Sequence, residues 1–252
     1  QVYIMYRSVL SWTALISAHS SPGHGHEALR LHQCMLRDGF EPNSYTYLAL
    51  FKACGSNGNL TEGMRFHVEA SKKGYTSDIY VASTLVSMYG KCEATMEAES
   101  VFAMIKNPNV VSWNAMIAGF VRNGQGKDAL SLFRKMQMNG IVPSNVTFIA
   151  ILSGCCSFST LEQGQKIHHF IVCNGCDGDT VMQNALVSMY GKCGTLIEAE
   201  NVFVTMSDRD TVSWTAMLSA YIEDGRAEEA LYLYIQMMED SCSIKPDRAM
   251  LS

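Results

Sequence analysis

The chain has 252 residues, 48% of them apolar, with five prolines and no low-complexity run, which excludes an intrinsically disordered chain and leaves apolar surface for a sizeable core. Its 19 basic and 24 acidic side chains give a net charge of −5, which argues against a protein that holds nucleic acid through bulk positive potential. No apolar run approaches the roughly 18 residues needed to cross a bilayer, because Lys, Asp, Asn or Gly interrupts each one, so no membrane association is expected.

Elements recur along the chain. The stretch "SWTALISA" at 11 to 18 returns as "SWNAMIAG" at 112 to 119 and as "SWTAMLSA" at 213 to 220, so that Trp12, Trp113 and Trp214 are equally spaced. The octet "LVSMYGKC" at 85 to 92 returns unchanged at 186 to 193. The long period divides into shorter units, as such periods usually do. In chain order these are 9–43, 44–78, 79–109, 110–144, 145–179, 180–210 and 211–247, with fragments at 1–8 and 248–252.

Each unit reads as helix, turn, helix. In 110–144 a first apolar stripe runs through Trp113, Met116, Ile117 and Phe120, and Gly124 sits where a left-handed cap is wanted. A second stripe runs through Ala129, Leu130, Leu132, Phe133 and Met136 and ends at Gly140 and Pro143, which cannot continue a helix. Gly23 and Gly225, with Pro42 and Pro246, mark similar stops. Small residues recur at one place in the second helices, Ala28, Gly63, Ala98, Ala129, Gly164, Ala199 and Ala230, and allow close packing. A helix pair cannot cover its own apolar face, so neighbouring pairs must stack. The expected fold is all-α, an α-solenoid of stacked helix-turn-helix repeats forming one array without internal domain boundaries.

Nine cysteines lie in apolar stretches at unpaired-looking spacings and read as thiols of a reducing compartment. His67-Val68-Glu69 and Cys173-Asn174-Gly175-Cys176 imitate the H-x-E and C-x-x-C pieces of a zinc deaminase. The repeat register defeats this reading, because the counterpart of Glu69 is Phe170 and the counterparts of Cys173 and Cys176 are Lys72 and Tyr75. A lone C-x-x-C is weak evidence for zinc, so neither a metal nor a cofactor is expected. With no phosphate-cradling loop, hydrolase elbow or paired carboxylates, the segment is expected to be non-catalytic.

Unit lengths of 35, 35 and 31, together with "EALRLHQCMLRDGFEPN", "VVSWNAMIAGF" and "LVSMYGKCGTLIEAENVF", resemble the pentatricopeptide repeat proteins of plants, in the subclass that alternates P, L and S motifs. The resemblance implies a right-handed superhelix that binds single-stranded organellar RNA at about one base per repeat. It further implies the targeting segment of an RNA-processing factor of mitochondria or chloroplasts, chiefly in C-to-U editing. Editing-complex proteins, or a deaminase supplied in cis or in trans, are implied as further partners. On this reading the chain is a piece of a longer array. It begins at Gln1 without a basic-then-apolar leader, so any targeting peptide is expected outside it or already removed.

Motif positions 2 and 5 lie i, i+3 on one face of the first helix, and the last residue of a motif falls beside that face. The family's pattern then implies base reading by Thr13 with Asn43 and by Ser83 with Asn109 (adenine), by Asn114 with Ser144 (a pyrimidine), by Asn184 with Asp210 (uracil) and by Thr215 with Asp247 (guanine). Leu10, Tyr80, Val111, Val181 and Val212 would flank the bases. Leu48 and Ile149 depart from the pattern, so the two L motifs receive no base, and the implied target is 5′-A-n-A-C/U-n-U-G-3′. Lys91, Arg122 and Lys192, at position 13, would meet phosphates, while Glu223 interrupts that track. Acids gather instead at the start of the second helices, at Glu27, Glu62, Glu97, Asp128, Glu162, Glu198, Glu228 and Glu229, where the helix dipole favours them. The position 5 residues have no evident structural reason to be polar. The alternative is a protein-binding scaffold of the tetratricopeptide kind, which keeps a uniform 34-residue period.

Overall fold

The computed structural model describes residues 8–158 and 161–240. Asp247, Pro246 and the fragments at 1–7 and 248–252 lie outside them. Every regular element among the described residues is helical. First helices are α1 (Val9–Ala18), α3 (Ser44–Asn57), α5 (Ile79–Lys91), α7 (Val110–Arg122), α9 (Asn145–Phe158), α11 (Thr180–Lys192) and α13 (Thr211–Glu223). Second helices are α2 (Gly25–Arg37), α4 (Leu60–Lys72), α6 (Thr95–Met104), α8 (Gly126–Met138), α10 (Leu161–Cys173), α12 (Leu196–Thr205) and α14 (Ala227–Asp240). One 3-10 turn, Tyr75–Ser77, precedes α5.

Local chemistry sets the helix limits. Asn43, Asp78, Asn109, Asp179 and Asp210 begin five first helices as N-caps, their side-chain oxygens accepting backbone N–H groups of the first turn. Each such cap contributes about 1 kcal/mol. Glu27, Glu62, Glu97, Asp128, Glu162, Glu198, Glu228 and Glu229 all fall in the first turn of a second helix. Gly124 and Gly140 take positive φ, 73° and 72°, where the chain leaves a helix. At the equivalent turn after α5 the residue is Glu93, at φ 62°, whereas its counterpart after α11 is Gly194 at φ 72°.

Contacts divide the chain into two compact units, residues 1–123 with 138–141 and residues 124–137 with 142–252. In the first unit α1, α3, α5 and α7 lie successively against one another, and α2, α4 and α6 each pack between consecutive first helices. In the second, α9, α11 and α13 form the corresponding row, with α10 and α12 between them. Within each unit the core lies between first and second helices; Trp12 and Trp113 are buried in the first unit and Trp214 in the second.

The repeated octet is one rung of this core. Leu85, Val86, Met88 and Tyr89, and likewise Leu186, Val187, Met189 and Tyr190, are almost wholly buried. Met88 fills the notch left by Gly63 on α4, where an added Cβ would stand 2.6 Å from the sulfur; Met189 does the same at Gly164, at 2.5 Å. His67 Nδ1 and the Tyr89 hydroxyl share a 2.8 Å hydrogen bond, repeated by His168 and Tyr190. Burial lowers the pKa of both imidazoles and raises both phenols to about 12. At Gly90 the obstacle is backbone, because a Cβ there would lie 2.8 Å from the Gly119 Cα of the neighbouring first helix. At Gly191 the obstacle would be Ala220, whose Cβ is 2.6 Å away.

These contacts separate two glycine substitutions. Gly90→Ala drives a methyl into backbone and is expected to destabilise the chain by about 1–3 kcal/mol. Gly63→Ala meets only the flexible end of Met88 and gains helix propensity of about 1 kcal/mol, so its denaturation midpoint should stay close to the parent's. At the strained turn, Glu93→Gly should raise stability by up to about 1 kcal/mol, the cost of a left-handed non-glycine residue less the added chain entropy. Gly194→Glu should lower stability to a similar extent, both read by chemical denaturation.

Candidate functional site

The second residue of each first helix faces solvent although it is apolar. Leu10, Tyr45, Tyr80 and Val111 make this row in the first unit, and Val146, Val181 and Val212 make it in the second, with exposures between 51% and 78%. Tyr45 and Val146 had no assigned role in the sequence, because their motifs lack a polar residue at position 5. Their side chains nevertheless stand at the same register and as exposed as the rest. A row of large apolar groups kept out of the core at one fixed register offers flat surfaces at regular intervals.

Beside that row lie the polar pairs. Thr13, Ser83 and Asn184 are 8%, 3% and 6% exposed, so they sit inside the seam between neighbouring first helices and not on an open face. Each makes a hydrogen bond across the seam. Thr13 Oγ1 pairs with Thr46 Oγ1 at 2.7 Å, Ser83 Oγ with Ser112 Oγ at 2.8 Å, and Asn184 Nδ2 donates to Asp210 Oδ1 at 3.1 Å. The expectation that position 5 has no structural reason to be polar is therefore corrected: these side chains tie one rung to the next. Ser83 Oγ also reaches the Ile79 carbonyl, and Thr215 Oγ1 donates to the Thr211 carbonyl. Asn114, in the first unit, is half-buried, as are Leu48 in that unit and Ile149 in the other.

The last residue of a motif is the cap of the next first helix. Asn43 Oδ1 accepts from the Thr46 backbone N–H and hydroxyl; Asn109 Oδ1 accepts from the backbone of Val111 and Ser112 and from the Ser112 hydroxyl. In both, the amide oxygen is occupied and the NH2 group makes no hydrogen bond among the described residues. Asp210 Oδ1 accepts from the Ser213 backbone and hydroxyl as well as from Asn184. Burial pushes the Asp210 carboxyl up, but these bonds and one from the Val212 backbone outweigh it and hold the group below the usual carboxylate range. Ser144 caps α9 together with Thr147. The Asn184 amide oxygen is buried without a donor among the described residues, a deficit of about 1–3 kcal/mol that an arriving N–H group could relieve. Two kinds of seam result: a hydroxyl with an amide NH2, and an amide oxygen with a carboxylate oxygen.

Lys91, Arg122 and Lys192 are exposed at the far ends of α5, α7 and α11 and form no ion pair among the described residues. The Lys91 stem lies along Gly55, which keeps its ammonium at the surface. Acids of the second helices are engaged on their own helices instead, as in Glu27 with Arg30, Glu62 and Glu69 with Arg65, and Glu162 with Lys166. Glu223 is exposed and lines, with Lys192, a small cavity of about 190 Å3 between α11 and α13.

Cys173 is exposed and Cys176 half-buried, and no group of three His, Cys, Asp or Glu side chains among the described residues is placed to hold a metal ion. His67 and His168 each border a cavity, of about 480 and 240 Å3, beside the short helices α6 and α12, and are bonded there to Tyr89 and Tyr190.

Comparison with known proteins places this architecture. The PPR repeat family model matches residues 7–56 and 108–157, and the PPR repeat model matches 45–75, 184–210 and 212–242. The pentatricopeptide repeat-containing protein CRR2, chloroplastic, of Arabidopsis thaliana is 37% identical over 246 residues, 95% of this chain and 37% of that protein. A mitochondrial pentatricopeptide repeat-containing protein of the same plant is 36% identical over 241 residues, 96% of this chain and 37% of its own length. The chain thus spans little more than a third of either relative. Among solved structures, the pentatricopeptide repeat protein PPR10 in complex with an 18-nt psaJ RNA element matches with a TM-score of 0.75 at 21% identity, over 97% of this chain and 37% of that one. PPR10 from maize matches with a TM-score of 0.58 at 20% identity, over 96% of this chain and 40% of that one. The fold is the all-α repeat solenoid, and with family models matching its repeats over most of its length, the chain belongs to the pentatricopeptide repeat family.

Proposed function

We propose that this chain binds single-stranded RNA, about one base per repeat, as the targeting segment of a plant organellar RNA-processing factor. The observation that carries the reading is the exposed apolar row at position 2. A soluble repeat protein gains nothing by presenting Leu10, Tyr45, Tyr80 and Val111 at every first helix of one unit, and Val146, Val181 and Val212 at every one of the other, unless something flat is received between them. Unpaired bases have that shape, and stacking on side chains is the common means of holding them. Family relatives named chloroplastic and mitochondrial, and the RNA complex of PPR10, support the same reading.

Within it, Thr13 with Asn43, Ser83 with Asn109, Asn114 with Ser144, Asn184 with Asp210 and Thr215 with Asp247 read bases, giving 5′-A-n-A-C/U-n-U-G-3′. In the Asn184–Asp210 seam the amide oxygen is an acceptor that can receive the N3–H of uracil. Alternation of P, L and S motifs in one array, service in C-to-U editing, and a deaminase or editing-complex proteins acting beside the segment belong to this proposal. The segment supplies an address and no chemistry. Lys91, Arg122 and Lys192 meet phosphates, which lets a protein of net charge −5 hold an anion along a narrow track.

A binding titration tests the address. The chain should prefer RNA carrying A-n-A-C-n-U-G over a shuffled strand, and Asn184→Thr should move its preference at that slot from U toward G by about 1–3 kcal/mol, the worth of a well-made base contact. Equal affinity for all these strands would favour a protein-binding scaffold. Salt dependence tests the track. The slope of log K against log salt should be shallow and should flatten by about 2 in the triple variant Lys91→Ala, Arg122→Ala, Lys192→Ala, each lost phosphate contact removing roughly 0.7 on a single strand.

A further inference from the structure

Thr46, Ser112 and Ser213, the third residues of their helices, are completely buried yet polar. Thr46 and Ser213 each close a two-way cap with the last residue of the preceding motif, and Ser112 donates to its own, Asn109. Thr46 Oγ1 gives its proton to Asn43 Oδ1 at 3.0 Å and accepts the Asn43 N–H at 3.3 Å. Ser112 Oγ stands 3.2 Å from Asn109 Oδ1, and Ser213 Oγ stands 2.9 Å from Asp210 Oδ1. The same hydroxyls of Thr46 and Ser112 also hold Thr13 and Ser83 across the seam. One buried hydroxyl therefore joins both members of a reading pair.

The sequence register sharpens this observation. Where the preceding motif carries a polar position 5, at Thr13, Ser83, Asn114 and Asn184, the next motif carries a hydroxyl at position 3, at Thr46, Ser112, Thr147 and Ser213; Thr215 departs, followed by Met250 at that place. Where position 5 is Leu48 or Ile149, position 3 of the next motif is Val81 or Met182. Helix capping alone does not explain the split, since Asp78 and Asp179 cap α5 and α11 without a hydroxyl at that place.

Proton accounting gives the consequence. A hydroxyl has one proton to donate. In the Thr13 seam the Thr46 proton goes to Asn43, so the Thr13 proton goes to Thr46 and the Thr13 oxygen is left as an acceptor. With its oxygen occupied, Asn43 can turn only its NH2 group outward. The pair then presents one acceptor and one donor, the complement of the amino group and ring nitrogen on the adenine edge. Loss of the Thr46 hydroxyl would leave the Asn43 amide held by the Thr46 backbone N–H, but would free the Thr13 hydroxyl to turn and offer either its proton or its oxygen.

We propose that Thr46 is a positioning residue for base recognition, which fixes the hydrogen-bonding polarity of the adjacent Thr13–Asn43 pair without touching RNA. The proposal rests on the RNA-reading function above. It is tested by titrating the chain, Thr46→Ala and Thr46→Ser with RNA carrying A-n-A-C-n-U-G and with strands in which the first A becomes G or the U becomes A. The parent chain should favour A over G at the Thr13–Asn43 slot by about tenfold or more. Thr46→Ala should reduce that ratio to below about threefold and Thr46→Ser should restore it, while all three keep the preference for U at the Asn184–Asp210 slot, which shows that the array is folded. Full A-over-G discrimination in Thr46→Ala overturns the proposal and leaves the reading intact. A parent chain indifferent at both slots overturns the reading and the proposal together.

Discussion

The constraint on which both units depend is the close approach of successive first helices. Gly90 against Gly119, and Gly191 against Ala220, bring neighbouring backbones as near as side-chain volume permits. That spacing sets the reach of every seam contact. At a wider separation the 2.7 Å and 2.8 Å hydroxyl pairs of Thr13 with Thr46 and Ser83 with Ser112 could not form. Second helices serve the same end from behind, with Met88 and Met189 locked into glycine notches. Since each hairpin covers only part of its own apolar face, stability is shared between nearest neighbours, and a methyl group at the wrong glycine is felt beyond its own rung.

Much of this was legible in the letters. Helix starts at Val9, Ser44, Ile79, Val110, Asn145, Thr180 and Thr211 coincide with the first residues of the units read from the repeat, because caps, glycines and prolines are local signals that survive repetition. Buried tryptophans and the acidic first turns of second helices followed from periodicity and dipole arguments of the same local kind. The octet was legible as a structural rung, though its division of labour was not. That Met88 fills the space above Gly63, 25 residues away in the chain, is a fact of packing that no window of sequence displays.

The candidate site was harder to read. Ser and Thr at position 5 looked like exposed readers in an indifferent place for a helix, whereas the structure buries Thr13, Ser83 and Asn184 in the seams and gives them partners there. Exposure belongs instead to position 2, including Tyr45 and Val146 in the motifs without a reader. The missed signal was available: Ser or Thr two residues before position 5 in some motifs, Val or Met in others, in step with the motif before. It was invisible to a reading that treated each unit alone, because the hydrogen bond it encodes runs between units of the repeat.

Since Asn43, Asn109, Ser144 and Asp210 also begin helices, the residues allowed at these places are constrained by folding as well as by the reading proposed above. Asn, Asp, Ser and Thr all make good helix starts and, on the reading proposed above, differ in what they offer a base, so exchange among them would alter the message at little expense in folding. Any other residue would forfeit the start of a helix along with its letter. On that reading, a lineage of such chains would drift from one transcript to another by single substitutions while remaining folded at each step, provided it stayed within that four-residue vocabulary.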